Sequence, residues 1–115
     1  MRSYKRAVRV SELIQAEIVK ILRDIKELNY GLLTVTKVKL TDDLQTCRIF
    51  YSVIGTQEDR VNTDKILKDN LKYIRFQLAN AVDLRRTPTI EFAYDSSAEE
   101  AVRVFELLEK IKQEK

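Results

Sequence analysis

Apolar residues at Val10, Ile14, Ile18, Ile21, Leu22, Ile25 and Leu28 recur at steps of three and four, which predicts a long first helix with one buried face. Asn29-Tyr30-Gly31 is expected to stop it, with Gly31 suited to the left-handed position beyond a helix end. Residues 32–40, LLTVTKVKL, are rich in β-branched side chains, and residues 46–54, TCRIFYSVI, alternate Cys47, Ile49, Tyr51 and Val53 against Arg48, Phe50 and Ser52. They read as a hairpin whose turn, Thr41-Asp42-Asp43-Leu44, suits side-chain-to-backbone hydrogen bonds. With Cys47, Ile49 and Tyr51 inward, Arg48 and Phe50 face outward, and Lys37 and Lys39 share a parity on the partner strand.

Residues 56–62 read as a polar connection. From Thr63 onward, Leu67, Leu71, Ile74, Leu78 and Val82 line one face of a second helix, which Pro88 is expected to end. Ile90, Phe92 and Tyr94 alternate with Glu91 and Ala93 as a third strand. Ser97-Ala98-Glu99-Glu100 has the form of a capping box, and Ala101, Val104, Phe105, Leu108 and Ile111 are expected to be the inner face of a last helix, with Asp95 placed to help its start. Hairpin, crossover helix and strand together imply an α+β fold, a small three-stranded mixed sheet with helices on one face. One domain spanning residues 1–115 is expected.

Composition narrows the function. The chain is 44% apolar, with no run near the roughly 18 apolar residues of a membrane span and no signal-like apolar core at its start. A soluble cytoplasmic protein without a membrane partner is expected. Cys47 is the single cysteine and histidine is absent, which removes an internal disulfide, a multi-cysteine zinc site and the commonest general base. Cys47 reads as an inert core thiol, and Asp42-Asp43 as turn formers rather than metal ligands. Glu99 and Glu100 point about 100° apart on a helix and cannot form a carboxylate dyad. Glu99 with Arg103, and Glu106 with Lys110, fit surface pairs. Two glycines build neither a Walker nor a dinucleotide loop. No catalytic residue, metal, cofactor or small-molecule substrate is expected.

The net charge of +3 is unevenly spread. Residues 1–9 hold Arg2, Lys5, Arg6 and Arg9 without an acid, and residues 60–86 hold seven basic against three acidic side chains. The remaining blocks are net negative. Such basic regions in a balanced protein suit a polyanion binder. Arg2, Arg6 and Arg9 fall on one stripe of the first helix, and Lys65, Lys68, Lys72 and Arg75 form a ridge beside the apolar stripe of the second. Phe50 and Phe76 read as packing residues ahead of stacking platforms. Of the two loop arginines, Arg86 is expected to be the contact, and Arg85, placed on the second-helix face near Leu78 and Val82, partly structural.

Several local patterns resemble the bacterial ribosome-binding factor A family. Arg6-Ala7-Val8-Arg9-Val10 is similar to its helix-opening R-x-x-R-V, and residues 41–50 resemble its turn and strand. Tyr73-Ile74-Arg75 is similar to the aromatic-I-R of its second helix, and residues 84–95, LRRTPTIEFAYD, to its L-R-x-x-P-x-[LI]-x-F-x-x-D. The resemblance implies a type II KH-like fold, αββααβ followed by a C-terminal helix. It also implies a non-enzymatic, monomeric assembly factor that binds the immature 30S subunit and its 16S rRNA, supporting late maturation, 5′-end processing and cold adaptation. Two departures stand out. The G-x-x-G loop of ordinary KH domains is absent, and Asn70-Leu71-Lys72 occupies the position of the family's A-x-G interruption. A helix running straight there would make the cationic ridge continuous, whereas an interrupted one would divide it. The alternative function from the residues alone is a basic protein-interaction module for an acidic partner.

Overall fold

A computed structural model gives the fold and describes residues 2–28 and 32–113, with backbone alone at 2–4. The elements run α1 (Arg2–Arg23), β1 (Leu33–Leu40), β2 (Thr46–Val53), α2 (Gln57–Asp69), α3 (Leu71–Ala81), β3 (Thr89–Tyr94) and α4 (Ser97–Gln113). The strand order is β1-β2-β3, with β1 antiparallel and β3 parallel to β2. This is the type II KH-like αββααβ order with an added helix.

The predicted face of α1 is buried, with Ile14, Ile18, Ile21 and Leu22 at 6% exposure or less. The helix nevertheless ends at Arg23, short of the expected stop. Bonds of three-residue span, Asp24 N to Ile21 O and Ile25 N to Leu22 O, tighten the chain there, and Ile25 and Leu28 stay in the core from a turn. The stop expected at Asn29-Tyr30-Gly31 lies outside the described residues.

The hairpin follows the expected parity. Cys47, Ile49 and Tyr51 are inward and buried, while Lys37 faces Phe50 and Lys39 faces Arg48 across the outer surface. The register shifts between Val35 and Lys37, so Thr36 is the extra residue of a β-bulge. The bulge explains why the inward residues of β1 run Leu33, Val35, Val38 and Leu40, with one step of three. Thr36 uses its position to donate its hydroxyl to Asp95 Oδ2 at 2.6 Å.

Residues 56–62 are not a loop. Asp59 N–H donates to Thr56 Oγ1 and Thr56 N–H to Asp59 Oδ2, a capping box that starts α2 at Gln57. Gly55 precedes it at φ 149°, where a Cβ would run into the Asp59 carboxylate.

The second helix is interrupted at Asn70, whose backbone stands at φ −101° and ψ 12°. Its side-chain Nδ2 and its backbone N–H both donate to Ile66 O, at 2.8 and 3.1 Å, so a side-chain amide competes for a helix carbonyl and the ladder breaks. Ile74 N–H donates to Asn70 O, and α3 begins. Leu67, Ile74 and Leu78 are fully buried on either side of the break, each contributing roughly 1.5–3 kcal/mol of burial.

Two further expectations are corrected. Pro88 does not end α3: the helix stops at Ala81, where Val82 turns extended at φ −118°, and Arg85 consequently lies in a loop rather than on a helix face. Pro88 is instead fully buried, directly before β3. The apolar face expected to be the inner side of α4 is exposed, Phe105 at 65%, Leu108 at 58% and Ile111 at 51%, and no residue of α4 is buried. Helices α1 to α3 already cover the inner sheet face. The root of α4 is fixed by polar contacts, since Asp95 Oδ1 accepts from Ser97 N–H and the Ser96 hydroxyl donates to Glu100.

Candidate nucleic-acid interface

The cationic side chains fall into three groups, and the geometry treats them differently. On the open sheet face, Arg48 pairs with Glu91 of β3 at 3.2 Å, and Lys37 Nζ stands 4.6 Å from the centroid of the half-buried Phe50 ring. Phe76 is not a packing residue. It is 63% exposed on α3, near Tyr73 at 41%, so two aromatic faces are open to solvent one helical turn apart.

On α2 and α3 the ridge is divided by the Asn70 break and partly used up inside the protein. Lys68 Nζ sits 2.9 Å from Asp64 Oδ2, and Tyr51 donates its hydroxyl to Asp64 Oδ1 at 2.9 Å. Partial burial opposes ionisation of Asp64, but hydrogen bonds from Lys68 and Tyr51 outweigh it and hold the carboxyl below its ordinary value. Burial, reinforced by Asp64, pushes the Tyr51 phenol well up. Arg75 reaches across to the α3–β3 loop, donating to Pro88 O at 3.2 Å and Thr87 O at 3.0 Å. It clasps the start of β3 to α3. Lys65 and Lys72 are exposed and make no ion pair among the described residues.

The third group is gathered by the fold from distant sequence. Arg6 of α1, Asp43, Leu44 and Gln45 of the hairpin turn, and Leu84, Arg85 and Arg86 of the α3–β3 loop line one open cleft of about 630 Å³. None of the three arginines makes an ion pair or side-chain hydrogen bond among the described residues. Arg85, expected to be partly structural, is exposed and unengaged alongside Arg86. The turn is rigid: Thr41 Oγ1–H and Gln45 N–H both donate to Asp43 Oδ1, at 2.6 and 3.0 Å, and Thr46 N–H donates to Thr41 Oγ1. The bond from Thr41 holds the Asp43 carboxyl below its ordinary value. Lys5 and Arg9 are exposed on α1, and the side chain of Arg2 lies outside the described residues.

Cys47 is fully buried, and desolvation pushes its thiol up to about 12, so it holds no reactive thiolate at neutral pH. Among the described residues no group of three or more acidic or cysteine side chains is arranged to hold a metal ion. No helix among them is long and apolar enough to cross a membrane.

Residues 6–108 match the family model described as ribosome-binding factor A. The chain belongs to the ribosome-binding factor A family. A ribosome-binding factor A from Thermodesulfovibrio yellowstonii is 40% identical over 113 residues, spanning 97% of this chain and 95% of the relative. The solution NMR structure of a Thermotoga maritima protein is similar at a TM-score of 0.72 and 26% identity, over 80% of this chain and 89% of that one. A homology model of the Thermus thermophilus ribosome binding factor A, fitted into the cryo-EM map of a 30S complex, shares the fold at a TM-score of 0.55 and 22% identity, over 79% and 92% of the two chains. In this chain the helix interruption falls on Asn70, the first residue of Asn70-Leu71-Lys72.

Proposed function

We propose that this protein is a non-enzymatic assembly factor of the small ribosomal subunit, acting as a monomer in the cytoplasm. It binds immature 30S particles through 16S rRNA and supports late maturation of that RNA, including 5′-end processing and growth in the cold. The observation that carries this reading is the family match over residues 6–108. The electrostatics support it, because Lys5, Arg6, Arg9, Lys65, Lys72, Arg85 and Arg86 are exposed cations that pair with no acid among the described residues.

Such side chains release condensed counterions when they meet RNA phosphates, so binding should weaken steeply with salt. Exposed Tyr73 and Phe76 add faces on which an unstacked base can lie. Gradient sedimentation of a lysate at low salt, with and without ribonuclease, tests the reading. Co-migration with small-subunit particles that disappears after ribonuclease is the expected result. Retention at the top of the gradient would remove the assembly-factor function, and a complex that survives ribonuclease would favour an acidic protein partner.

A further inference from the structure

The cleft between α1, the hairpin turn and the α3–β3 loop has more built into it than positive charge. Its volume of about 630 Å³ lies within the 300–1,000 Å³ range of small-ligand sites, room enough for one nucleotide. Three arginines line it against a single acidic residue, so an anion is favoured. Leu44 and Leu84, both half-buried, offer apolar walls. Leu44 stands at φ 62°, a left-handed conformation that costs an L-residue roughly 1–2 kcal/mol, and the hydrogen-bonded turn holds it there.

Asp43 carries the discriminating chemistry. Its Oδ1 already accepts two hydrogen bonds inside the turn, which fixes the carboxylate, while Oδ2 accepts none from any other described residue. A fixed, ionised acceptor in a cleft selects a ligand edge with adjacent donors. Guanine presents two neighbouring donors, N1–H and the N2 amino group. Adenine and cytosine each place a ring acceptor beside their one amino donor, and uracil flanks its N–H with two carbonyls, so all three set an acceptor against the carboxylate. Gln45 lines the same cleft and has an amide able to donate to guanine O6.

We infer that this cleft binds one unpaired guanosine of single-stranded RNA, with Arg6, Arg85 and Arg86 on its flanking phosphates and Asp43 Oδ2 on the guanine edge. The inference rests on the RNA-binding reading above and adds a base preference to it.

The test uses the full chain and two fluorescently labelled pentaribonucleotides, AAGAA and AAAAA, at fixed salt. The wild type should prefer AAGAA by roughly 5- to 100-fold, the span of one good base-edge contact. Asp43→Asn keeps a carbonyl oxygen for Thr41 and Gln45 but turns the free acceptor into a donor or neutral group. It should bring the two oligomers within about twofold, with AAAAA bound at least as tightly as by the wild type because a negative charge has left the cleft. Arg85→Gln with Arg86→Gln should weaken both oligomers together, and thermal melts of each variant establish that it is folded. Equal wild-type affinity for the two oligomers, or a guanine preference that survives Asp43→Asn, would overturn the proposal. So would free 5′-GMP binding as tightly as AAGAA, which would make the ligand a mononucleotide. Small-subunit co-sedimentation of the same samples separates the two levels: a wild type that co-sediments without guanine preference sinks the cleft alone, and one that does neither sinks the RNA reading as well.

Discussion

The ridge on α2–α3 and the cleft around Arg86 carry similar numbers of cations but differ in what those cations already touch. Lys68 lies against Asp64 one helical turn away, and Arg75 is spent on the carbonyls of Thr87 and Pro88. Arg6, Arg85 and Arg86 have no internal partner among the described residues and face a shared cavity. A helix supplies its own neighbours at fixed spacing, so a lysine on it readily meets an acid four residues away. Arg85 and Arg86, in a loop next to a buried proline, have no such regular partner, and Arg6, Lys65 and Lys72 show that a helix too leaves some cations open. Charge counted along a chain therefore does not report which cations are already engaged.

The contrast makes graded predictions. Replacing Arg6, Arg85 and Arg86 together with Gln should have the largest effect, lowering affinity for small-subunit particles by roughly 100-fold at about 0.1 M salt, because three charge-assisted phosphate contacts are lost. Filter binding would show it, and a loss under threefold would move the docking surface elsewhere. Next, Arg75→Ala should cost about 1.5–3 kcal/mol of folding stability in urea denaturation, since it removes a charged donor from two backbone carbonyls. An unchanged midpoint would mean the clasp contributes nothing. Smaller still, Lys68→Ala should alter stability by at most about 0.5 kcal/mol, as expected for an exposed pair, and should reduce RNA affinity less than Lys72→Ala does. The reverse order would return Lys68 to the interface.

Much of this was legible from periodicity. The buried stripes of α1 and α3 and the inward parity of β2 follow directly from apolar spacing, because one-sided burial is what makes that spacing. Thr56-Gln57-Glu58-Asp59 held a start signal for α2 that was masked by the lack of apolar residues after it, and the step from Val35 to Val38 held the bulge. The apolar face of α4 was legible, but its burial was not: periodicity marks which face is apolar and says nothing of whether the sheet has room left for it. The resemblance marked Asn70-Leu71-Lys72 as the place where an interruption would fall, but that the helix breaks there depends on one side-chain amide reaching Ile66 O. The cleft joins positions 6, 43–45 and 84–86, and only the tertiary fold brings them together.

The smallest expected effect concerns α4. Hydrogen bonds from Ser97 and Thr36 depress the Asp95 carboxyl to about 2 from an ordinary 3.8. A depressed folded-state value means the bonds stabilise the root of α4 above about pH 4, and that this support is lost as pH falls through 4 toward 2. Helix-specific amide exchange should therefore quicken in the first turn of α4 before it changes in α3. Asp95→Asn should flatten that difference.

The central claim, that internal engagement decides which cations meet RNA, is tested most directly by two double variants that remove the same charge. The slope of log affinity against log salt should be measured on purified immature small subunits for Arg85→Gln/Arg86→Gln and for Lys68→Gln/Arg75→Gln, each confirmed folded. The first pair should lower the magnitude of the slope by about 1.5–2, and the second by less than about 0.5. Equal reductions, or a larger one for the Lys68/Arg75 pair, would contradict the account.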